Sequence, residues 1–121
     1  MRKPSSNHKE DIMKFDKSLL SGSTKLLILS VLQDSDKYGY EMIVSLAQRS
    51  DNAFEMKEGT LYPLLHGMEN EGLIRAYGQE TPSGRQRKYY TLTDAGRREL
   101  ARQEKQWHSF VSAVNMVLIE G

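Results

Sequence analysis

Glu58-Gly59-Thr60-Leu61-Tyr62-Pro63-Leu64-Leu65-His66-Gly67-Met68-Glu69-Asn70, followed by Glu71-Gly72 and then Ile74-Arg75-Ala76-Tyr77, is the stretch on which the fold turns. Leu61, Leu64, Leu65 and Met68 recur at spacings of three, one and three, which lays one apolar stripe along a helix over 58–70. Thr60, Tyr62, Pro63, His66, Glu69 and Asn70 fall on its outward side. Pro63 stands one turn in, where it removes at most one early hydrogen bond, so the helix survives it. Gly72 suits the position just past a helix C-cap. The period then changes from helical to alternating. Ile74–Tyr77 and Arg87–Leu92 read as two strands, with Thr81-Pro82-Ser83-Gly84 as the turn between them.

Upstream, Tyr40, Ile43, Val44 and Ala47 predict a short helix over 39–49 with one buried stripe, ended by Ser50-Asp51-Asn52. Before it, Asp16 is the candidate N-cap of a helix over about 17–33. Its second half is apolar nearly all round, which places it in the centre of the domain; Gly22 weakens its first half. Residues 1–15 carry Pro4, Ser5, Ser6, Asn7 and alternating charges, and read as a flexible arm ahead of a domain over 16–92. Downstream, Thr93 caps a last helix within 93–121. There Leu100, Trp107, Phe110, Val114 and Val117 fall at spacings of seven, three, four and three, a heptad-like rhythm with Val111 and Leu118 beside it.

The 121 residues leave room for one domain. With 38% apolar and 27% charged residues, the chain can fill a small core and is not disordered by composition. The longest unbroken apolar run is four residues, as in Leu26-Leu27-Ile28-Leu29, so no membrane span is expected. Met1-Arg2-Lys3 is basic, but 4–14 hold no apolar segment, so no secretory leader is expected. With no cysteine, the chain has no disulfide, thiolate zinc site, iron–sulfur cluster or cysteine nucleophile, which fits a cytoplasmic setting. His8, His66 and His108 lie in different elements without metal-ligand spacing, so no metal is expected. Gly78 and Gly84 are turn glycines, since no phosphate-loop pattern contains them. No nucleophile elbow occurs, so no catalytic residue, enzyme activity or cofactor is expected. Met42, Met56, Met68 and Met116 read as gap-filling core residues. Tyr89 and Tyr90 alternate across a strand, so one should pack and the other face out.

Three helices, a hairpin and a long helix make a mainly α, α+β fold: a winged helix-turn-helix with a long C-terminal dimerisation helix. In such domains the helix after the turn enters a DNA major groove and the wing reaches the backbone or minor groove. The net charge of +1 is neutral on this point, because local charge decides. Between Thr81 and Thr93 stand Arg85, Arg87 and Lys88 and no acid. A solvated basic loop explains that composition equally well; its place after a helix-turn-helix tips the reading toward double-stranded DNA. A last helix of about 27 residues is about 40 Å long, against a body only about 30 Å across. It must project, and its Trp107, Phe110, Val111, Val114, Val117 and Leu118 seam needs a second copy to cover it. A two-fold dimer then presents two reading helices to half-sites about 34 Å apart.

Tyr38-Gly39-Tyr40-Glu41, the Glu58-to-Leu65 string, Glu71-Gly72-Leu73-Ile74 and the run from Gly84 to Gly96 together closely resemble the PadR-like transcriptional regulators, over about residues 24–97. The resemblance implies a dimeric, mostly repressing bacterial regulator, and the single C-terminal helix places it with the short subfamily. It puts the recognition helix on Glu58–Asn70, with Thr60, Tyr62, Pro63 and His66 toward the groove, and the wing on Ile74–Leu92; Lys57, Arg85, Arg87 and Lys88 are then expected to hold phosphates. His66 stands where many relatives carry a basic residue and is followed by Gly67, which implies weaker direct base readout. Short members related to multidrug-binding repressors place an aromatic residue beside a cavity between protomers. Trp107 resembles that residue, which implies an aromatic or hydrophobic effector stacked near it; the plainer role is an anchor of the dimer seam. A winged-helix protein–protein adaptor is the rival, kept alive by Glu55, Glu58, Glu69 and Glu71, because acids near phosphates cost affinity.

Overall fold

The structure, a computed structural model, describes residues 15–120. The expected arm therefore lies outside the described residues except for Phe15, whose ring lies 5.6 Å from that of Phe54. Helices α1 (Lys17–Ser21) and α2 (Thr24–Gln33) replace the single helix expected over 17–33. Gly22 carries the low helix propensity that permits a break. Ser23 completes it: its hydroxyl donates to the Leu20 carbonyl at 3.0 Å, a bond that competes with helix continuation. Asp16 begins α1 through its backbone carbonyl, which accepts from Leu19 and Leu20, and not through its side chain. Ile28, Leu29, Val31 and Leu32 are all buried, so α2 is the central helix, as its composition predicts.

A two-residue strand β1 (Lys37–Tyr38) precedes α3 (Gly39–Arg49). The deepest positions of α3 are Gly39, Met42 and Leu46, while Tyr40 is exposed. This corrects the expected stripe. Apolar residues crowd 40–47 so densely that two neighbouring stripes fit the helical period, and periodicity alone selects the wrong one. Helix α4 (Glu58–Asn70) has the expected bounds and buries Leu61, Leu65 and Met68. It ends in a Schellman turn: Leu73 N–H donates to Met68 and Gly72 N–H to Glu69, both at 3.0 Å, with Gly72 at φ +79°.

Strands β2 (Ile74–Glu80) and β3 (Gln86–Leu92) form the hairpin, longer than the sequence suggests, and β1 adds to the free edge of β3. The antiparallel order is β1-β3-β2, with Lys37 opposite Tyr90 and Tyr38 opposite Tyr89. Tyr90, Leu92, Ile74 and Ala76 turn toward the helical core. Tyr89 faces the other way and is buried too, against the expectation that one of the pair faces out. The unforeseen strand is the reason: Tyr38 meets the Tyr89 ring edge-on at 5.3 Å, and Tyr77 stacks on it at 5.9 Å.

Helix α5 (Asp94–Glu120) has 27 residues. Thr93 caps it, its hydroxyl accepting from Gly96 N–H at 3.0 Å and donating to the Gly72 carbonyl at 2.6 Å. Leu100 is buried against the core. Beyond it the helix carries mostly exposed side chains.

Candidate nucleic-acid interface

Helix α4 presents Thr60, Tyr62, Pro63 and His66 to solvent, and Lys57, immediately before it, is exposed as well. Burial of Leu61, Leu65 and Met68 on the opposite side fixes this orientation, so the exposed face follows from the buried stripe. Pro63 leaves the helix continuous, as expected. Tyr62 does not project freely. It is 43% exposed, and its phenol lies across the start of α3 at Gly39.

The hairpin tip is closed by its own hydrogen bonds. Thr81 N–H donates to the Arg85 carbonyl and Gly84 N–H to the Thr81 carbonyl, each at 2.8 Å. Gly84 sits at φ +90°, a conformation that the turn requires and that few other residues adopt. Thr81 is buried, its hydroxyl held between Ser83 and the Arg85 N–H. Arg85 therefore leaves a fixed loop.

Arg87 and Lys88 are adjacent in β3 and so leave opposite faces of the hairpin. The Arg87 guanidinium lies 5.8 Å from the centre of the Tyr38 ring, on the outer face. The Lys88 ammonium lies 5.8 Å from the centre of the Tyr90 ring, on the side of α4. Burial raises the Tyr90 hydroxyl pKa, and the nearby Glu69 and Tyr62 add to it. Lys88 and Tyr90 thus share the face of the hairpin that looks toward Glu69 and Tyr62 of α4. On the outer face the Tyr77 hydroxyl donates to Asp36 at 2.6 Å, a bond that pushes its pKa up to about 12. The wing is tied to the turn after α2 as well as to its own strands. Sequence reading missed these ties because Asp36 and Tyr38 lie about 40 residues from Tyr77, just before and within a strand too short to show alternation.

The acids near α4 differ in their effect. Glu71 is paired with Lys25 at 3.1 Å, which removes much of its repulsion toward phosphates. Glu58, in the first turn, and Glu55 are exposed. Among the described residues no group of three or more His, Cys, Asp or Glu could hold a metal ion. A groove of about 510 Å³ lies along α3 between Asp34, Tyr40, Glu41 and Arg49, and none of its lining residues belongs to α4.

On α5, Trp107, Phe110, Val114, Val117 and Leu118 are exposed and Val111 is half-buried. The Trp107 and Phe110 rings are 6.4 Å apart, a tilted pair on one face. Met116 and Ile119 are exposed on other faces, so the end of the helix is apolar on several sides. None of the described helices is long and apolar enough to cross a membrane.

A transcriptional regulator of Mycobacterium tuberculosis is 31% identical over 83 residues, 69% of this chain and 74% of its own length. The structure of a PadR-like transcriptional regulator from Bacillus cereus, 31% identical, superposes with a TM-score of 0.76, covering 84% of this chain and 97% of that one. A PadR family transcriptional regulator from Eggerthella lenta, 32% identical, gives 0.73 over 94% of this chain and 97% of its own. The family model of the PadR-like transcriptional regulators matches residues 28–102, from the buried Ile28 of the central helix to the third turn of α5. The chain carries this fold and these matches together: it belongs to the PadR-like family of transcriptional regulators.

Proposed function

We propose that the protein is a homodimeric repressor of the cytoplasm that binds double-stranded DNA in a sequence-specific way. Thr60, Tyr62, Pro63 and His66 enter the major groove, and Lys57, Arg85, Arg87 and Lys88 hold phosphates. Trp107, Phe110, Val111, Val114, Val117 and Leu118 form the seam between protomers. An aromatic or hydrophobic small molecule seated at that seam near Trp107 releases the DNA. One observation carries the reading: the Lys88 ammonium of the wing lies over the Tyr90 ring, on the side from which Glu69 and Tyr62 of α4 act on the Tyr90 hydroxyl. Cations and a groove-sized helix face are thereby offered to one surface.

The test is titration of DNA from just upstream of the coding region, and of random DNA, across a range of salt. Four cations in each of two protomers neutralise about eight phosphates, giving a slope near −7 and about a 10⁴-fold loss of affinity from 50 to 200 mM salt. A flat response on both DNAs supports the adaptor instead. Sedimentation reports the dimer, and Trp107 fluorescence followed against a panel of aromatic compounds reports the effector.

A further inference from the structure

Gly39 opens α3 and is buried, yet its backbone is not in the left-handed region that calls for glycine. Its reason is space. A Cβ built at this position would collide with the Tyr62 hydroxyl and stand 2.7 Å from Cζ and 3.0 Å from Cε1 of the same ring. Of everything around Gly39, the nearest atoms to such a Cβ all belong to this one side chain. Tyr62 in turn belongs to the exposed face of α4 and contributes to the raised pKa of Tyr90 on the wing. Two elements therefore meet at one phenol: the start of α3 and the recognition helix.

We propose that Gly39 is a positioning residue for DNA recognition: its missing side chain is the seat that holds the Tyr62 phenol down and fixes the rotamer in which α4 meets the groove. The inference rests on the DNA-binding reading above and adds to it a residue that touches no DNA. A seated ring has lost its rotamer freedom before DNA arrives, so binding does not have to order it. An unseated ring swings outward into the space the DNA backbone needs. The obstructing atoms are the far end of a flexible side chain, so the fold can accept a methyl group at Gly39 by displacing Tyr62. Alanine is also the better helix former at this position.

The test uses Gly39→Ala, Tyr62→Ala and the double variant. Ring signals of Tyr62, assigned by comparison with Tyr62→Phe, are followed by NMR in the presence of a paramagnetic co-solute. DNA affinity is measured at one salt concentration. Gly39→Ala is expected to melt no lower than the parent, to raise the co-solute relaxation of the Tyr62 ring, and to weaken DNA binding about tenfold, from one ordered side chain in each of two protomers. In the Tyr62→Ala background the same substitution should leave affinity unchanged within about twofold, because the partner it acts through is gone. Unchanged Tyr62 relaxation overturns the proposal, as does a loss of affinity that persists without Tyr62. If the parent chain shows no salt-dependent binding to any DNA, the DNA reading itself falls; the relaxation measurement then still decides whether Gly39 seats the ring.

Discussion

Gly96 is where the long helix is bolted to the rest of the domain, and Gly96→Ala should loosen that joint. A Cβ at this position collides with the Leu73 carbonyl oxygen and stands 3.1 Å from its carbon and 3.2 Å from Leu92 Cδ2. The obstacle is backbone and cannot rotate away. That carbonyl also accepts the Thr93 N–H at 3.1 Å, and the Thr93 hydroxyl is anchored to Gly72. Relief requires the first turn of α5 to retreat, which stretches both bonds. Two hydrogen bonds are worth about 2 kcal/mol together, and overpacking adds about 1–3 kcal/mol. The better helix propensity of alanine returns about 1 kcal/mol, so the net loss is about 2–4 kcal/mol. For a domain of this size that lowers the Tm by about 8–16 °C. Thermal and urea unfolding at one protein concentration measure it, because the apparent stability of the proposed dimer would depend on concentration. A Tm within about 2 °C of the parent refutes the reasoning, for it means that α5 shifts freely against the α4–β2 corner.

Three further outcomes follow from the geometry. Arg87→Ala should weaken binding to specific and random DNA alike and lower the salt slope by about two per dimer; an unchanged slope removes Arg87 from the phosphate set. Lys37→Met should cost about 1–3 kcal/mol in urea unfolding, because the Lys37 ammonium donates to the Val31 carbonyl at 2.7 Å and its loss orphans that group at the end of α2. Glu99 is held down to about 2 by its hydrogen bond from Arg102, with Gln103 adding a second. A lowered carboxylate pKa stabilises the fold above its unfolded value, near 4.5, and that contribution is lost as pH falls toward 2. Glu99→Gln should therefore flatten the acid limb of a stability–pH curve, and a curve of unchanged shape assigns that limb to other carboxylates.

The α4–hairpin–α5 order was legible because each boundary has a local chemical cause. Leu61, Leu65 and Met68 repeat over nearly the whole of α4, Gly72 alone supplies the left-handed residue its Schellman turn needs, and the Thr93 hydroxyl finds the Gly96 N–H within the same turn. What failed depends on contacts between distant segments. Strand β1 has two residues and exists because the edge of β3 is there to pair with, so no pattern inside 33–38 announces it. Tyr89 is buried by Tyr38 and Tyr77, neither of which its own strand can reveal. The exposed face of α4 could be read from periodicity, whereas the seating of Tyr62 on Gly39 joins residues more than twenty positions apart.

These contacts also bear on how a molecule at the seam would act on DNA. Trp107 lies eleven residues beyond Gly96, about 16 Å along a straight helix. Thr93, Gly96 and Leu100 fix the near end of that helix to the body. The wing is fixed in its turn by the Tyr77–Asp36 bond and the rings around Tyr89. With both joints stiff, a tilt of α5 moves α4 and the hairpin as one rigid unit. A tilt of a few degrees carried across a body about 30 Å wide shifts the reading helix by ångströms, enough to spoil its match to half-sites on a rigid duplex. An effector achieves this only to the extent that it binds the tilted pair more tightly than the DNA-competent one. In the proposed repressor, loosening the joint at Gly96 should therefore uncouple the two events: a ligand at the proposed seam still quenches Trp107, while DNA release no longer follows it. Release that persists undiminished in a loosened variant places the effector's action on the reading head itself.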